Sequence, residues 1–248
     1  MRFCDRLICL DEVSSTNELL FRDKEGSYPE GTALLARVQT AGRGRAGRVW
    51  HSMPGGLYLS AVWSPERVQG LALLGAYTLL KLCLAEWNLV TQIRWPNDLV
   101  LAGKKLAGVL PQVKFSGSVP VRAVMGVGLN VHQNLTSFDT VLVDSVTTLA
   151  CHLTEELNIE DIAVRFLEHF ERELEQFEKH GCEKLCSRCE PYLEGLADGS
   201  VAYIEDEVAE PQVLGAVKGL GPNGELLLSE GRSLDRLSST ERLRFAPH

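Results

Sequence analysis

Residues 39–50 of the 248-residue chain read Gln-Thr-Ala-Gly-Arg-Gly-Arg-Ala-Gly-Arg-Val-Trp. Three glycines and three arginines alternate through the middle of this stretch. Glycine lets backbone N–H groups approach a ligand closely, and arginine adds a permanent charge with forked donors for phosphate or carboxylate. A loop of this kind can order around an anionic ligand and exclude water from it. The alternative, a solvated basic loop, stays open on this stretch alone.

The glycine spacing in the loop also matches the dinucleotide-binding pattern G-x-G-x-x-G, at Gly42, Gly44 and Gly47. That pattern requires a helix directly after the turn, whereas residues 49–56 contain one proline and two glycines. The arginines would also crowd a tight pyrophosphate turn. We therefore expect an anion-binding loop that does not belong to a Rossmann fold.

A second informative stretch, residues 94–110, reads Arg-Trp-Pro-Asn-Asp-Leu-Val-Leu-Ala-Gly-Lys-Lys-Leu-Ala-Gly-Val-Leu. Its Ala-Gly centre predicts a hairpin turn between two strands. A hairpin would bring Asp98 and Lys105 within reach of one ligand, and this pair suits activation of a carboxylate. The alternative is a surface ion pair, which would contribute little to stability.

A third stretch, residues 126–130, reads Gly-Val-Gly-Leu-Asn. Two glycines within a strand indicate that something approaches the backbone closely. The pattern alone does not distinguish a ligand from a neighbouring strand.

Hydrophobic periodicity predicts the elements that carry these stretches. We expect strands at residues 6–13, 32–39, 56–63 and 119–132, a buried helix at 68–87, and an amphipathic helix at 160–180 that Gly181 ends. Ser15 and Glu18 have the spacing of a capping box, which predicts a helix start. Short β-like runs with a turn at 222–224 predict a small terminal barrel. We place the domain boundary between residues 195 and 196.

Charge is distributed unevenly along the chain, whose net charge is −8. Residues 1–150 hold 15 basic and 12 acidic side chains, and residues 151–248 hold 10 and 21. An acidic, solvated C-terminal surface explains most of this difference, and no broad basic surface predicts nucleic-acid binding. No secretory signal or membrane-length apolar run is present, so we expect a cytoplasmic protein without membrane contact.

Seven cysteines are scattered along the chain, and three of them form a cluster. Cys182, Cys186 and Cys189 have the spacing C-x3-C-x2-C, which iron–sulfur proteins also use. The surrounding apolar residues recur at helical spacing, so packing on a helix face is the favoured interpretation.

Four ordered motifs together resemble the biotin protein ligase family, over roughly residues 8–132. They are Q-x-A-G-R-G-R-x-G-R-x-W, [KR]-W-P-N-D, K-[LV]-A-G-[IV]-L and G-x-G-x-N, preceded by Ser15-Thr16-Asn17. The resemblance implies an α+β fold, in which a mixed sheet is backed by helices as in class II aminoacyl-tRNA synthetases. It also implies a small C-terminal SH3-like β-barrel.

The resemblance further implies roles for individual residues. The biotin-binding set comprises Ser15, Thr16, Asn17, Gln39, Arg43, Gly44, Arg45, Lys105 and Gly108. The nucleotide-binding set comprises Arg48, Trp50, Asn97 and Asn130, with Gly128 in the far wall. The catalytic set comprises Lys105, Asp98 and Arg48. No resident metal ligands are expected.

The reaction implied by the family consumes biotin and ATP, with Mg²⁺. Biotin is activated as biotinyl-5′-AMP and then joined to a lysine of a biotin carboxyl carrier protein, expected to be that of acetyl-CoA carboxylase. Arg94 stands where lysine is commoner, and Pro111-Gln112 stands where many members carry an acid, which leaves the carrier contact open. The chain begins directly at the catalytic motifs, so operator binding is not expected. The oligomeric state, monomer or homodimer, is also open.

Two rival functions remain at this point. A lipoate–protein ligase would share the fold, although the Gly/Arg loop (residues 40–50) and W-P-N-D argue against it. A regulatory protein would bind biotin without forming an adenylate.

Overall fold

The main sheet has seven strands and is mixed, as predicted. The computed structural model describes residues 3–138, 145–206, 212–234 and 241–246. Only β1 and β2 pair in parallel, and all other neighbours are antiparallel, in the order β1-β2-β3-β7-β6-β5-β4. The strands are β1 Leu7–Val13, β2 Ala33–Gln39, β3 Gly56–Trp63, β4 Gln92–Arg94, β5 Asp98–Leu101, β6 Lys104–Ser116 and β7 Val119–Asn130.

Two helices cover one face of this sheet, and a short helix borders the other. Helix α2 (Leu71–Trp87) is apolar around most of its circumference and is largely buried, because it lies between the sheet and α3 (Ile159–Cys189). Phe166 and Phe170 of α3 pack in the same core as Trp63 of β3. Helix α1 (Thr16–Arg22) begins at Ser15, whose hydroxyl accepts the Glu18 N–H, so the predicted helix start is confirmed.

The predicted end of α3 at Gly181 is confirmed only as a break in the backbone. Gly181 has φ 79° and ψ −177°, and a second helical segment then continues to Cys189. The chain turns back at this point, so that Arg188 reaches Glu173 on the first segment, with 2.7 Å between Nη2 and Oε2. Arg188 also lies over the Tyr77 ring of α2, at 4.7 Å from its centroid.

The hairpin predicted between residues 98 and 105 is confirmed. Ala102 and Gly103 both have positive φ, 50° and 74°, as a two-residue hairpin turn requires. Strand β5 then pairs with β6 so that Asp98 lies opposite Gly108.

The C-terminal residues form a second, antiparallel sheet of five strands. These are β8 Val201–Asp206, β9 Gln212–Leu220, β10 Leu226–Leu228, β11 Ser233–Leu234 and β12 Glu241–Ala246, in the order β11-β10-β9-β8-β12. The predicted turn is present, with the Gly224 N–H donating to the Gly221 carbonyl. In the part of the chain that is described, no ladder joins β11 to β12, so barrel closure and the boundary at 195/196 stay predictions.

Helix length and composition also bear on membrane contact. Within residues 3–138, 145–206, 212–234 and 241–246, no helix is both long and apolar enough to cross a bilayer.

The ion pair across the Gly181 turn generates a stability prediction. Arg188→Ala leaves the Glu173 carboxylate, whose side chain is 11% exposed, without its closest cation. We expect a loss of about 1–3 kcal/mol in the free energy of unfolding, measured by urea denaturation. The matched control, Arg172→Ala, removes an exposed arginine of the same helix and should cost less than about 0.5 kcal/mol. Equal losses in both variants would show that the ion pair does not stabilise the turn.

Candidate active site

A cavity of about 690 Å³ opens on the sheet face opposite α2 and α3. The Gly/Arg loop, the start of α1 and the hairpin of β5 and β6 surround it. Every residue predicted for the site lies in its lining, from Ser15 to Asn130. The structure therefore brings the predicted residues together, while the role of each remains a prediction.

One end of the cavity is a preformed network of amides and hydroxyls. The Gln39 Oε1 accepts from the Thr16 backbone N–H at 2.9 Å and from the Thr16 hydroxyl at 3.2 Å. The Gln39 Nε2 donates to the Ser52 hydroxyl at 2.8 Å, and Ser60 lies 2.8 Å from the Thr16 hydroxyl. Because each side chain is held by another, a ligand meets fixed polar atoms here.

Asn17 offers an open acceptor at the same end. Its Nδ2 donates to the Leu110 carbonyl at 3.0 Å, while its Oδ1 is buried without a hydrogen-bond partner. A buried acceptor without a partner carries a desolvation cost that a ligand N–H would remove. A Cβ on Gly126 would lie 2.7 Å from Asn17 Nδ2, so this glycine is what allows the amide to approach the strand.

Trp50 forms a flat wall in the middle of the cavity. A Cβ on Gly128 would lie 2.3 Å from the indole ring, and one on Gly108 would lie 2.9 Å from it. Lys105 Nζ is 5.2 Å from the ring centroid, and the indole Nε1 is buried without a partner. The glycines predicted to mark a close approach therefore admit side chains, Asn17 at Gly126 and Trp50 at Gly128.

The other end of the cavity is charged. Lys105 Nζ lies 2.7 Å from Asp98 Oδ2, and Asp98 Oδ1 is buried without a partner. Arg45 donates to the Asn97 Oδ1 at 3.1 Å, and Asn97 donates to the Val109 carbonyl at 2.8 Å. Burial lowers the pKa of Arg45, which nearby Asp98 partly offsets and the positive charge of Arg48 reinforces.

The Gly/Arg loop is a tight turn with a single 3₁₀ segment at Arg45–Gly47, and the next α-helix after it begins only at Leu71. The Gly44 N–H donates to the Arg48 carbonyl at 2.7 Å, and the Trp50 N–H donates to the Gly42 carbonyl at 3.0 Å. Arg43 lies 3.5 Å from Glu18 on α1, which ties the loop to that helix. The expectation that this loop does not belong to a Rossmann fold is confirmed.

Asn130 lines the cavity, but both ends of its amide bind protein groups. Its Nδ2 donates to the Thr147 carbonyl at 3.1 Å, and its Oδ1 accepts from Gln133 at 3.3 Å. Residues 145–147 in turn pair with Lys105, whose N–H donates to the Ser145 carbonyl at 2.8 Å. These contacts give Asn130 a role in holding the start of β6, where Lys105 lies. Its role in nucleotide binding stays a prediction.

Several residues in or beside the cavity lining were not predicted from the sequence. Ser52 and Ser60 complete the polar network, and Phe138 and Val146 add apolar wall. Arg244 reaches the cavity from β12, more than a hundred residues from the hairpin. No local pattern singles out isolated serines or a distant arginine, because their roles arise only when the chain folds.

Comparison with known proteins agrees with this geometry. The model of the biotin/lipoate A/B protein ligase family matches residues 9–130. The bifunctional ligase/repressor BirA of Salmonella typhimurium is 30% identical over 226 residues, which cover 89% of this chain and 68% of that protein. A biotin–[acetyl-CoA-carboxylase] ligase of Mycobacterium tuberculosis is 37% identical over 135 residues, 49% of this chain and 48% of that one.

A solved structure extends the match over nearly the whole chain. The biotin protein ligase of Aquifex aeolicus, in complex with biotin and ATP, is 28% identical with a TM-score of 0.81. The match covers 97% of this chain and 99% of that one. From motif order, fold and cavity together, the chain belongs to the biotin/lipoate A/B protein ligase family.

Proposed function

We propose that the protein is a biotin protein ligase. It activates the biotin carboxylate with ATP to give biotinyl-5′-AMP and pyrophosphate, then transfers the acyl group to a carrier lysine. The observation that carries the proposal is one cavity that joins a polar, amide-lined end to a cationic end. The ureido head of biotin, with two N–H groups and one carbonyl, suits the first end, and an acyl phosphate suits the second.

In the first step, the biotin carboxylate attacks the α-phosphorus and pyrophosphate leaves. Lys105 and Arg48 line the cationic end of the cavity, so they stabilise the negative charge that builds on the phosphoryl oxygens. Trp50 offers a flat apolar face for the adenine. The loop from Arg43 to Arg48 covers the product and keeps water from the mixed anhydride.

In the second step, the carrier amine attacks the acyl carbonyl and AMP leaves. The Lys105 ammonium already forms an ion pair with Asp98 Oδ2, whereas Asp98 Oδ1 has no hydrogen-bond partner. Asp98 Oδ1 is therefore the atom that orients the incoming amine and accepts its proton.

Mg²⁺ enters with ATP as part of the substrate. Asp98 is the acidic residue in the described lining of the cavity, and no group of three or more His, Cys, Asp or Glu suited to a metal occurs among the described residues. One carboxylate beside nucleotide phosphates fits the way Mg²⁺ is commonly bound with nucleotides.

The remaining parts of the proposal concern the partner and the second sheet. The expected acceptor is a biotin carboxyl carrier protein, as the name of the mycobacterial relative suggests, and the expected compartment is the cytoplasm. The five-stranded C-terminal sheet is proposed to be SH3-like.

The rival substrate is lipoate, and the polar end of the cavity disfavours it. A dithiolane ring has no N–H to donate to the buried Asn17 Oδ1. The test is incubation with Mg-ATP, a carrier domain and either acid, read by mass spectrometry of the carrier. We expect an adduct from biotin alone. A lipoyl adduct, or biotin binding without any carrier adduct, would contradict the proposal.

The hairpin generates a prediction with a matched control. Lys105→Ala removes the cation beside Asp98 and should lower biotin-dependent pyrophosphate release by about 10²–10³-fold. Lys104→Ala removes the exposed neighbouring lysine and should leave release nearly unchanged. Unchanged release in Lys105→Ala would remove this residue from the mechanism.

Substitution of the two strand glycines, Gly126 and Gly128, tests which part of the cavity binds biotin and which binds ATP. Gly126→Ala places a methyl against Asn17, and Gly128→Ala places one against the Trp50 ring. We expect the first variant to raise the KM for biotin by about tenfold or more, and the second to raise the KM for ATP similarly, roughly 1.4 kcal/mol each. Steady-state kinetics with each substrate varied in turn measures both. If both variants raised the same KM, the assignment of the two ends would be wrong.

A further inference from the structure

The three-cysteine cluster of α3 has no part in the proposed reaction. Cys182 and Cys186 are one helical turn apart, with 3.7 Å between their sulfur atoms, and Cys189 is fully buried. No metal-binding group of three or more such side chains occurs among the described residues, so the geometry does not favour an iron–sulfur site. What remains to be explained is a close thiol pair.

The two thiols of this pair are chemically unequal. Cys182 is partly exposed, whereas Cys186 is buried. The Cys186 thiol hydrogen-bonds to Cys182, which lowers the pKa of Cys182 and raises that of Cys186, and burial opposes the first change and reinforces the second. Cys182 is therefore the more nucleophilic and more accessible sulfur.

The N-terminus of α2 lies beside Cys182 and also favours a thiolate, whereas the charge of Glu225 opposes it. A Cβ on Gly70 would lie 2.5 Å from the Cys182 sulfur, and Gly70 immediately precedes the first turn of α2. The sulfur therefore lies against the N-terminus of a 17-residue helix, where negative charge is stabilised.

The backbone allows the pair to close. A disulfide needs about 2.05 Å between the sulfurs, which is shorter than the observed separation. Cys182 is the first residue after Gly181, whose backbone is not helical. The helical segment can therefore loosen at its start without disturbing the first segment of α3.

We propose that Cys182 and Cys186 form a modification site at which a hydroperoxide produces a reversible disulfide. The Cys182 thiolate attacks the O–O bond of hydrogen peroxide and becomes a sulfenic acid, while the other oxygen leaves as hydroxide and takes up the proton that Cys182 released. Cys186 then attacks the sulfenic sulfur, and the sulfenic hydroxyl leaves and forms a second water with the Cys186 proton. Two thiols lose two electrons in total, and the peroxide is reduced to water. This inference does not depend on the proposed ligase activity.

A chain of contacts links Cys182 to the cavity. A Cβ on Gly224 would lie 3.6 Å from the Cys182 sulfur, and the Gly224 carbonyl accepts the Trp95 indole N–H at 2.8 Å. Trp95 lies two residues before Asn97 in the cavity lining. The pair therefore lies at the joint between the C-terminal sheet and the cavity.

Peptide mapping of the full chain tests the proposal. Trypsin cleaves after Lys179, Lys184 and Arg188, which places Cys182 and Cys186 alone in two short peptides, 180–184 and 185–188. After treatment with hydrogen peroxide, blocking of free thiols and digestion, we expect these peptides to be joined, two hydrogens lighter than their sum. Dithiothreitol should separate them again. If both peptides are recovered separately with blocked thiols, or joined to other cysteines, the proposal is wrong.

A trapping experiment tests which thiol reacts first. Cys186→Ser keeps an O–H donor beside Cys182 but cannot close the disulfide, so dimedone should trap a sulfenic acid on Cys182. Labelling there should exceed that of exposed Cys9, whose pKa is raised mainly by burial, by about tenfold. Equal labelling of the two residues would overturn the assignment of Cys182 as the reactive thiol.

Discussion

The contact between the Trp50 ring and the bare backbone of Gly128 is the constraint on which the cavity depends. A Cβ at that position would lie inside van der Waals distance of the indole, so only glycine lets the Gly/Arg loop lie on the sheet. The loop in turn carries Arg45 over Asn97 and sets the position of Arg48. The positions of these cationic groups therefore depend on the absence of a Cβ atom at residue 128 of β7.

The same arrangement concentrates positive charge where water is partly excluded. Arg45 and Lys105 lie near a single carboxylate, Asp98, and burial alone already lowers the pKa of Arg45. Like charges brought together in this way raise the free energy of the empty site. An anionic ligand offsets that cost, so the site favours an anionic acyl adenylate over a neutral product.

The sequence predicted the elements and the composition of the site better than the geometry within it. Periodicity located the strands and helices, and turn chemistry located the 98–105 hairpin, because these patterns are local. These local patterns could not show that the Trp50 ring packs against Gly128. Nor could they show that Asn130 hydrogen-bonds to Thr147 and Gln133 rather than facing open space. Such partners are far apart in the chain, and a residue type alone does not say which neighbour it will meet. Gly181 illustrates the limit well, since glycine predicted a break but not the helical segment that follows it.

Arg94 ties β4 to the segment that leads from α3 to the C-terminal sheet, and its identity matters for that reason. Its guanidinium forms two bonds to Glu194, at 2.5 and 2.8 Å, and a third to the Gly103 carbonyl at 3.1 Å. A lysine ammonium at the same position keeps the charge but lacks the planar fork for a paired contact. The Glu194 N–H also donates to the Ile93 carbonyl, so the backbone and the ion pair hold the same junction. Since Arg94 lies directly opposite Asp98 across β4 and β5, its bonds to Glu194 also hold the strand that presents Asp98 to the cavity.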